Sequence, residues 1–419
     1  MSLPQQYDLV IVGGGLSGAS LACALGDLGK RIAVIEAIPV ASDKQPSYDE
    51  RTIALTYSSR NIFSGIGVWQ SISDAACPIH SIHISDVGKS GMTRLNRSLV
   101  DTEALGYVVP TRVVGTTLFD AIIKMPNIDW ICPARAIGIE HHESNLTLEL
   151  ADAQTPISTP LVVVADGARS GIGQAAGLEL DTISYPTKAL ITIIETDRFH
   201  EYQAFERFTR SGPLALLPMH RAGRWRYAVA WTLPEEEADR LTNTSESEFL
   251  AALQNEFGYR AGNFLGAGNR RSYPLSLGIL ENPARNRVVA LGNAAHIVHP
   301  VAGQGFNLGL KDVAIFAEEV ANAWRDNLDP GDPLVLNRYN RKRNRQTRRV
   351  GTFTNGLIST FTSTIPGVEL LRNVGLNMLD LAPPAKRLLL KRTMGIHGRQ
   401  PLLACGRPLG QSSNTDNKP

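Results

Sequence analysis

DLVIVGGGLSGASLACALGDLGKRIAVIE, residues 8–36, holds a strand, a glycine-rich turn, a helix and a second strand in close succession. Asp8 to Val12 is an apolar, β-branched run that reads as a buried strand, and Leu16 to Gly29 carries small and apolar residues at helical spacing. Arg31 to Glu36 is a second strand, which completes a β-α-β unit within about 30 residues. Between strand and helix stands Gly13-x-Gly15-x-x-Gly18. In a dinucleotide-binding turn, Gly13 permits the sharp bend, Gly15 lets a pyrophosphate reach the backbone, and Gly18 lets the helix pack close to the sheet. Leu16 and Ser17 then open a helix whose unpaired N–H groups and positive dipole end favour phosphate. Glu36 ends the second strand, where a carboxylate can accept from a ribose diol and repels a 2′-phosphate. That favours FAD or NAD over NADP at this loop.

Working outward, Thr116 to Lys124 has helical periodicity, Ile137 to Leu150 alternates as a hairpin does, and Leu161 to Ala165 is another buried strand ending at Asp166-Gly167. From about 183 to 277 the texture becomes short β-like runs, among them Ala189 to Ile194, Leu214 to Pro218 and Arg226 to Thr232. Arg287 to Leu291 returns to a buried parallel-type strand, and a long helix is expected over 307–325. The division that follows is a nucleotide-binding domain over 1–182 with excursions, a β-sheet domain over 183–284, and a return to the first domain over 285–330. Helices follow over 331–410, punctuated by Pro366 and Pro383-Pro384, with a disordered tail at 411–419.

Composition excludes more than it assigns. A 419-residue chain with 43% hydrophobic and 20% charged residues suits two interlocking soluble domains. A net charge of +2 gives no reason to expect nucleic-acid binding. The four cysteines, Cys23, Cys77, Cys132 and Cys405, form no CxxC pair, so neither zinc nor a disulfide framework is expected. The run from Leu9 to Leu28 lacks a basic flank and is broken by glycines, so export is not expected, and no stretch reaches the ~20 apolar residues of a membrane span. A cytoplasmic protein, with any membrane contact peripheral to the inner face, is the resulting expectation.

Two later motifs carry chemistry. Asp166-Gly167-Ala168-Arg169-Ser170 follows an apolar strand; by itself it is equally well an acidic turn capping the next helix. Gly292-Asn293-Ala294-Ala295-His296, then Pro300-x-x-Gly303-Gln304-Gly305-Phe306-Asn307, follows a second buried strand. A Gly-Gln-Gly turn opening a helix aims N–H groups at an anion, and a reduced isoalloxazine is one.

With these three motifs in this order the chain resembles the class A flavoprotein monooxygenases, the aromatic hydroxylases related to p-hydroxybenzoate hydroxylase. Through residues 5–400 it is similar to their ubiquinone-biosynthesis hydroxylases. Supporting stretches are Asp49 to Leu55, Gly106 to Arg112, Glu206 to Thr209 and Gly212 to Pro218. The resemblance implies a mixed α/β fold, an FAD-binding Rossmann-like domain with an inserted antiparallel-sheet substrate domain and C-terminal helices. It also implies that Arg51 and Arg112 touch FAD, that Asp166 belongs to a motif linked to FAD and NAD(P)H, and that 303–307 holds the flavin. Gly292-Asn293 replaces the usual Gly-Asp beside the ribityl chain, and this form resembles the 2-octaprenyl-6-methoxyphenol hydroxylase branch. Gly173 stands where the Asp-Gly motif usually ends in Arg, which bears on its nicotinamide role.

In such enzymes NADH or NADPH reduces the flavin, O₂ reacts with it, and an activated phenol ring takes one oxygen. The phenol needs a base or hydrogen-bond acceptor in the sheet domain, which the sequence leaves unnamed. His296 and His299 flank the flavin loop and read equally well as backbone-bonded loop residues; Trp225 and Trp231 read as sheet residues facing a pocket or core. Arg338, Arg341, Lys342, Arg345, Arg348 and Arg349 gather along one helix face, as a solvated surface or as a contact with anionic lipid or an acidic partner. A polyprenylated phenol is the implied substrate. A sister hydroxylase acting at another ring position and a non-catalytic flavin-holding subunit are the alternatives, and oligomeric state is left open.

Overall fold

The computed structural model describes residues 5–40, 51–151, 155–298, 304–345 and 374–410. Pro300, Gly303, His299, Arg348, Arg349, Pro366 and the 411–419 tail lie outside them. The opening stretch folds as strand Leu9–Val12, helix Leu16–Gly26 and strand Ile32–Ile35, the two strands parallel with Leu9 opposite Ile32. Every residue of both strands is buried, because layers cover the sheet on both sides and leave no place for alternation.

These strands lie in a six-stranded sheet ordered Ala284–Arg285, Val288–Ala290, Val162–Val164, Leu9–Val12, Ile32–Ile35, Ile128–Ile131. It is parallel except for the antiparallel edge pair formed by the first two. On one face pack the helices Leu16–Gly26, Thr111–Ile122 and Gln304–Arg325, which share a core around Leu21, Leu118 and Phe316. Over the other lies a four-stranded sheet containing the expected hairpin, Ala136–His141 against Leu146–Leu150. The helix foreseen over 116–124 begins earlier, at Thr111, directly after strand Gly106–Pro110. The long helix likewise begins at Gln304 rather than 307.

A nine-stranded sheet forms the second body. Along it run His296–Ile297, Arg271–Ile279, Ile183–Thr196, Arg224–Pro234, Pro213–Ala222, Gln203–Phe208, Ser81–Asp86 and Met92–Asn96, with Phe264–Ala267 beside Ile183–Thr196. It is antiparallel except where Gln203–Phe208 pairs in parallel with Ser81–Asp86. Leu190, Leu216, Val229 and Trp231 pack beneath helices Glu235–Asn243 and Glu246–Phe257. Their neighbours Ala189, Ile191, Ala215, Leu217 and Ala230 face the opposite way, onto a cavity, as the two-residue period of a strand requires. Trp231 is therefore core, whereas Trp225 packs on Phe199, with ring centroids 4.4 Å apart. Among the described residues, no helix is long and apolar enough to cross a membrane.

Candidate active site

The glycine loop is built by backbone meeting backbone. Gly13 sits at φ +102°, and a Cβ on Gly18 would lie 2.0 Å from the Gly13 carbonyl oxygen, so the helix can approach the turn only without a side chain. The helix starts at Gly15 with no side-chain cap and no acid in its first turn. Its N–H groups are thus left to an anion from outside the protein. Glu36 is buried and holds the turn: Oε2 accepts from the Gly14 N–H at 2.6 Å and Oε1 from the Ile38 N–H at 2.8 Å. A carboxylate offers about four acceptor positions, so two bonds leave capacity for a diol.

The loop distant in sequence is brought onto this one. Gly292, at φ +59°, lies so close to the first helix that a Cβ there would stand 2.4 Å from Ser17 Oγ. Gly13, Gly15, Leu16, Ser17, Glu36, Arg51, Asp166, Gly292, Asn293, Gly305 and Phe306 line one cavity of about 1670 Å³. Burial pushes the Asp166 carboxyl above the usual carboxylate range, with its Ser170 hydrogen bond opposing. Gly18 supports the turn from behind. Gln304 begins the long helix. Arg112 is exposed on the helix Thr111–Ile122 and does not line the cavity.

Asn307 is buried and works as a clasp. Its Oδ1 accepts from the Thr56 N–H at 2.8 Å and the Ser59 hydroxyl at 2.7 Å, and its Nδ2 donates to the Ala54 carbonyl at 2.7 Å. The start of the long helix is thereby fixed to the strand Thr52–Thr56, which Arg51 precedes. Arg51 lies over the Tyr273 ring, 5.2 Å from its centroid, joining that strand to the large sheet.

His296 is backbone-bonded, as one of its two readings expects, but it stands in the short strand His296–Ile297 rather than in a loop. It is fully enclosed, with Nδ1 3.5 Å from Asp312 and Nε2 3.4 Å from the Gly305 carbonyl, and burial lowers its pKa. Asp312 in turn meets Arg343 Nε at 3.2 Å, and Arg343 donates to the carbonyls of Leu280 and Ala295. This cluster is invisible in the sequence, because Asp312 and Arg343 lie on helices where a charge reads as surface. Of the basic face, Arg338 and Lys342 reach Glu319, while Arg341 and Arg345 are exposed.

Beyond the nucleotide end the cavity becomes apolar, walled by the large sheet through Ile82, Ile84 and Leu95 and by the C-terminal helices through Leu376, Leu379 and Leu390. Its volume exceeds the roughly 300–1,000 Å³ of a pocket for one small molecule. Glu206, on strand Gln203–Phe208, also lines it, and its Oε1 is buried with no hydrogen-bond partner. Burial pushes this carboxyl up to about 7.

A dinucleotide loop that opens into a sheet-walled cavity is the architecture of the FAD-dependent monooxygenases. The chain belongs to the FAD binding domain family, which it matches over residues 6–354. Ubiquinone hydroxylase UbiL of Rhodospirillum rubrum is 32% identical over 406 residues, covering 96% of this chain and 93% of that protein. The 3-demethoxyubiquinol 3-hydroxylase of Escherichia coli is 27% identical, covering 94% and 99%. Among solved structures, p-nitrophenol 4-monooxygenase PnpA of Pseudomonas putida DLL-E4 shares the fold with a TM-score of 0.78 at 19% identity, covering 94% of this chain and all of that one. FAD is the cofactor, with NAD(P)H and O₂ the co-substrates typical of this class.

Proposed function

We propose that this enzyme hydroxylates the aromatic ring of a polyprenylated phenol of ubiquinone biosynthesis, with 2-octaprenyl-6-methoxyphenol as its substrate. The observation that carries this reading is the single cavity, polar and glycine-lined at one end and apolar at the other. It has room for a dinucleotide and an isoprenoid-bearing ring together. The names of the related hydroxylases support the pathway. The Gly292-Asn293 form supports the branch.

In this reading the FAD pyrophosphate lies on the open N-terminus of the helix Leu16–Gly26, with Gly13, Gly15, Leu16 and Ser17 around it and Gly18 behind. Glu36 takes the adenosine ribose, Arg51, Asp166, Gly292 and Asn293 line the path of the ribityl chain, and Gly305 and Phe306 bound the ring, while Pro300 and Gly303 of the same motif lie outside the described residues. Asn307 acts through the strand it clasps. Arg112, exposed on the helix Thr111–Ile122, is proposed as an FAD contact on the family resemblance alone. Bound flavin supplies hydride acceptance and oxygen activation. The protein's own part is to exclude water with the apolar sheet face and to orient the ring.

The finer partner reading, contact of 338–349 with anionic lipid, is supported by the exposure of Arg341 and Arg345 and weakened by the pairing of Arg338 and Lys342 with Glu319. The function is tested by incubating the FAD-loaded enzyme with NADH or NADPH and a panel of polyprenylated phenols. A product one oxygen heavier supports it. NAD(P)H oxidation without any hydroxylated ring would leave only a flavin-holding role.

A further inference from the structure

Glu206 is a carboxylic acid where the sheet calls for an apolar residue. Directly across the neighbouring strands stand Ala215 and Ile84, and along its own strand on the same face are Ala204 and Phe208. Its neighbour Arg207 faces away, donating to the Glu256 carbonyl. On the strand beyond Ile84, Thr93 spends its hydroxyl on Asp380, which Lys386 pairs at 2.6 Å. Among the described residues, the other titratable groups lining the cavity are Glu36, Arg51, Arg135, Asp166, Arg169 and Tyr273; burial alone raises Glu206, so none of these compensates its charge. A buried polar group without a partner is costly, and such sites persist where a ligand supplies the partner.

We propose that Glu206 accepts the phenolic proton of the aromatic substrate and so fixes where the ring lies, against the Ile84–Ala215 part of the sheet. The inference rests on the hydroxylase reading given above. The phenol O–H bond breaks, its proton passes to a Glu206 carboxylate oxygen, and the electron pair left on oxygen enriches the ring carbons ortho and para to it. A C–O bond forms at an enriched carbon as the O–O bond of the oxygen that O₂ and NAD(P)H supply through the flavin breaks; the second oxygen leaves with that bond's electron pair, takes up the proton the ring carbon loses, and departs as water. As the attacked carbon loses its hydrogen as a proton, Glu206 returns its own proton to the ring oxygen, and the ring is aromatic again with one hydroxyl added. The neutral-range ionisation of Glu206 suits a base that must both take and return a proton.

The test uses the FAD-loaded enzyme with NAD(P)H, O₂ and a short-chain 2-prenylphenol. Glu206→Gln is expected to purify with the FAD content of the parent while hydroxylated product per turnover falls ~10²–10⁴-fold, and Glu206→Asp to recover part of it. Because only the ionised form accepts a proton, single-turnover hydroxylation by the parent enzyme is expected to rise with pH through about 7. Glu206→Gln activity within threefold of the parent overturns the proposal and leaves the hydroxylase reading standing. A rate independent of pH from 5.5 to 8.5, a range of roughly 1.5 either side of neutrality, also overturns it, whatever the folding of the variants. A parent enzyme that hydroxylates no phenol sinks both readings.

Discussion

Replacing Glu36 by Ala separates the two duties its carboxylate performs. In the protein alone it removes two charge-assisted acceptors, from Gly14 at 2.6 Å and Ile38 at 2.8 Å, and leaves the buried Gly14 N–H without a partner. Such bonds contribute roughly 1.5–3 kcal/mol each, and an orphaned buried donor costs about 1–3 kcal/mol; since the orphan cost is part of the lost bond, we expect apoprotein stability to fall by about 3–6 kcal/mol. With FAD, the ribose diol also loses its acceptor, a further loss of about 3 kcal/mol, or more than 100-fold in Kd. Glu36→Gln keeps one carbonyl acceptor and no charge, so it should fall between the parent and the Ala variant on both counts. The assays are thermal melting with and without added FAD and fluorescence titration of FAD into apoprotein. A Glu36→Ala protein that purified with full FAD content and bound it with the parent's affinity would refute the reasoning for this end of the site.

Gly18→Ala places a methyl 2.0 Å from the Gly13 oxygen, so helix and turn must separate by about an ångström; loss of FAD on gel filtration is expected, and full retention would contradict the close-approach argument. Arg343→Met removes the guanidinium beside Asp312 and leaves that carboxyl in the core with only His296 near it, and chemical denaturation should show about 3–5 kcal/mol of destabilisation. The rise of Glu206 from 4.5 to about 7, at ~1.4 kcal/mol per pKa unit, means that ionising it in the folded protein costs about 3 kcal/mol. The stability it contributes is complete below pH 4.5 and is lost as pH climbs through about 7, so Glu206→Gln should raise the Tm of the apoprotein at pH 8 and leave it unchanged near pH 4. An equal effect at both pH values would contradict that. Reversing Arg341 and Arg345 to Glu should weaken flotation with anionic vesicles if 338–349 meets lipid; unchanged flotation removes that contact.

The dinucleotide unit was legible because its constraints are local. A strand with no room for polar residues, three glycines at fixed spacing and a terminal acid each answer to a nearby backbone requirement, as the close approach of Gly18 to Gly13 shows. The meeting of Gly292 with Ser17 was legible only through the order of motifs, since no local pattern in either segment speaks of the other. Ser81–Asp86 and Met92–Asn96 were not foreseen as part of the large sheet, because the parallel pairing with Gln203–Phe208 joins segments more than a hundred residues apart. Asn307 reads in sequence as one more residue of the flavin loop; its bonds to Ala54, Thr56 and Ser59 depend on a strand and the helix after it, some 250 positions earlier. Glu206 was visible only as part of a family-like stretch, Glu206 to Thr209. Its isolation among Ile84, Ala204 and Ala215 is a property of the folded sheet, and that isolation makes the acid informative.

In the proposed function, one cavity brings a flavin and a polyprenylated phenol together for oxygen insertion. It is tested most directly by mass spectrometry of the reaction in isotope-labelled O₂, with FAD-loaded enzyme, NAD(P)H and 2-octaprenyl-6-methoxyphenol. One labelled oxygen atom in the ring of the product is predicted. Unaltered phenol with reducing equivalents recovered only as hydrogen peroxide would contradict the account.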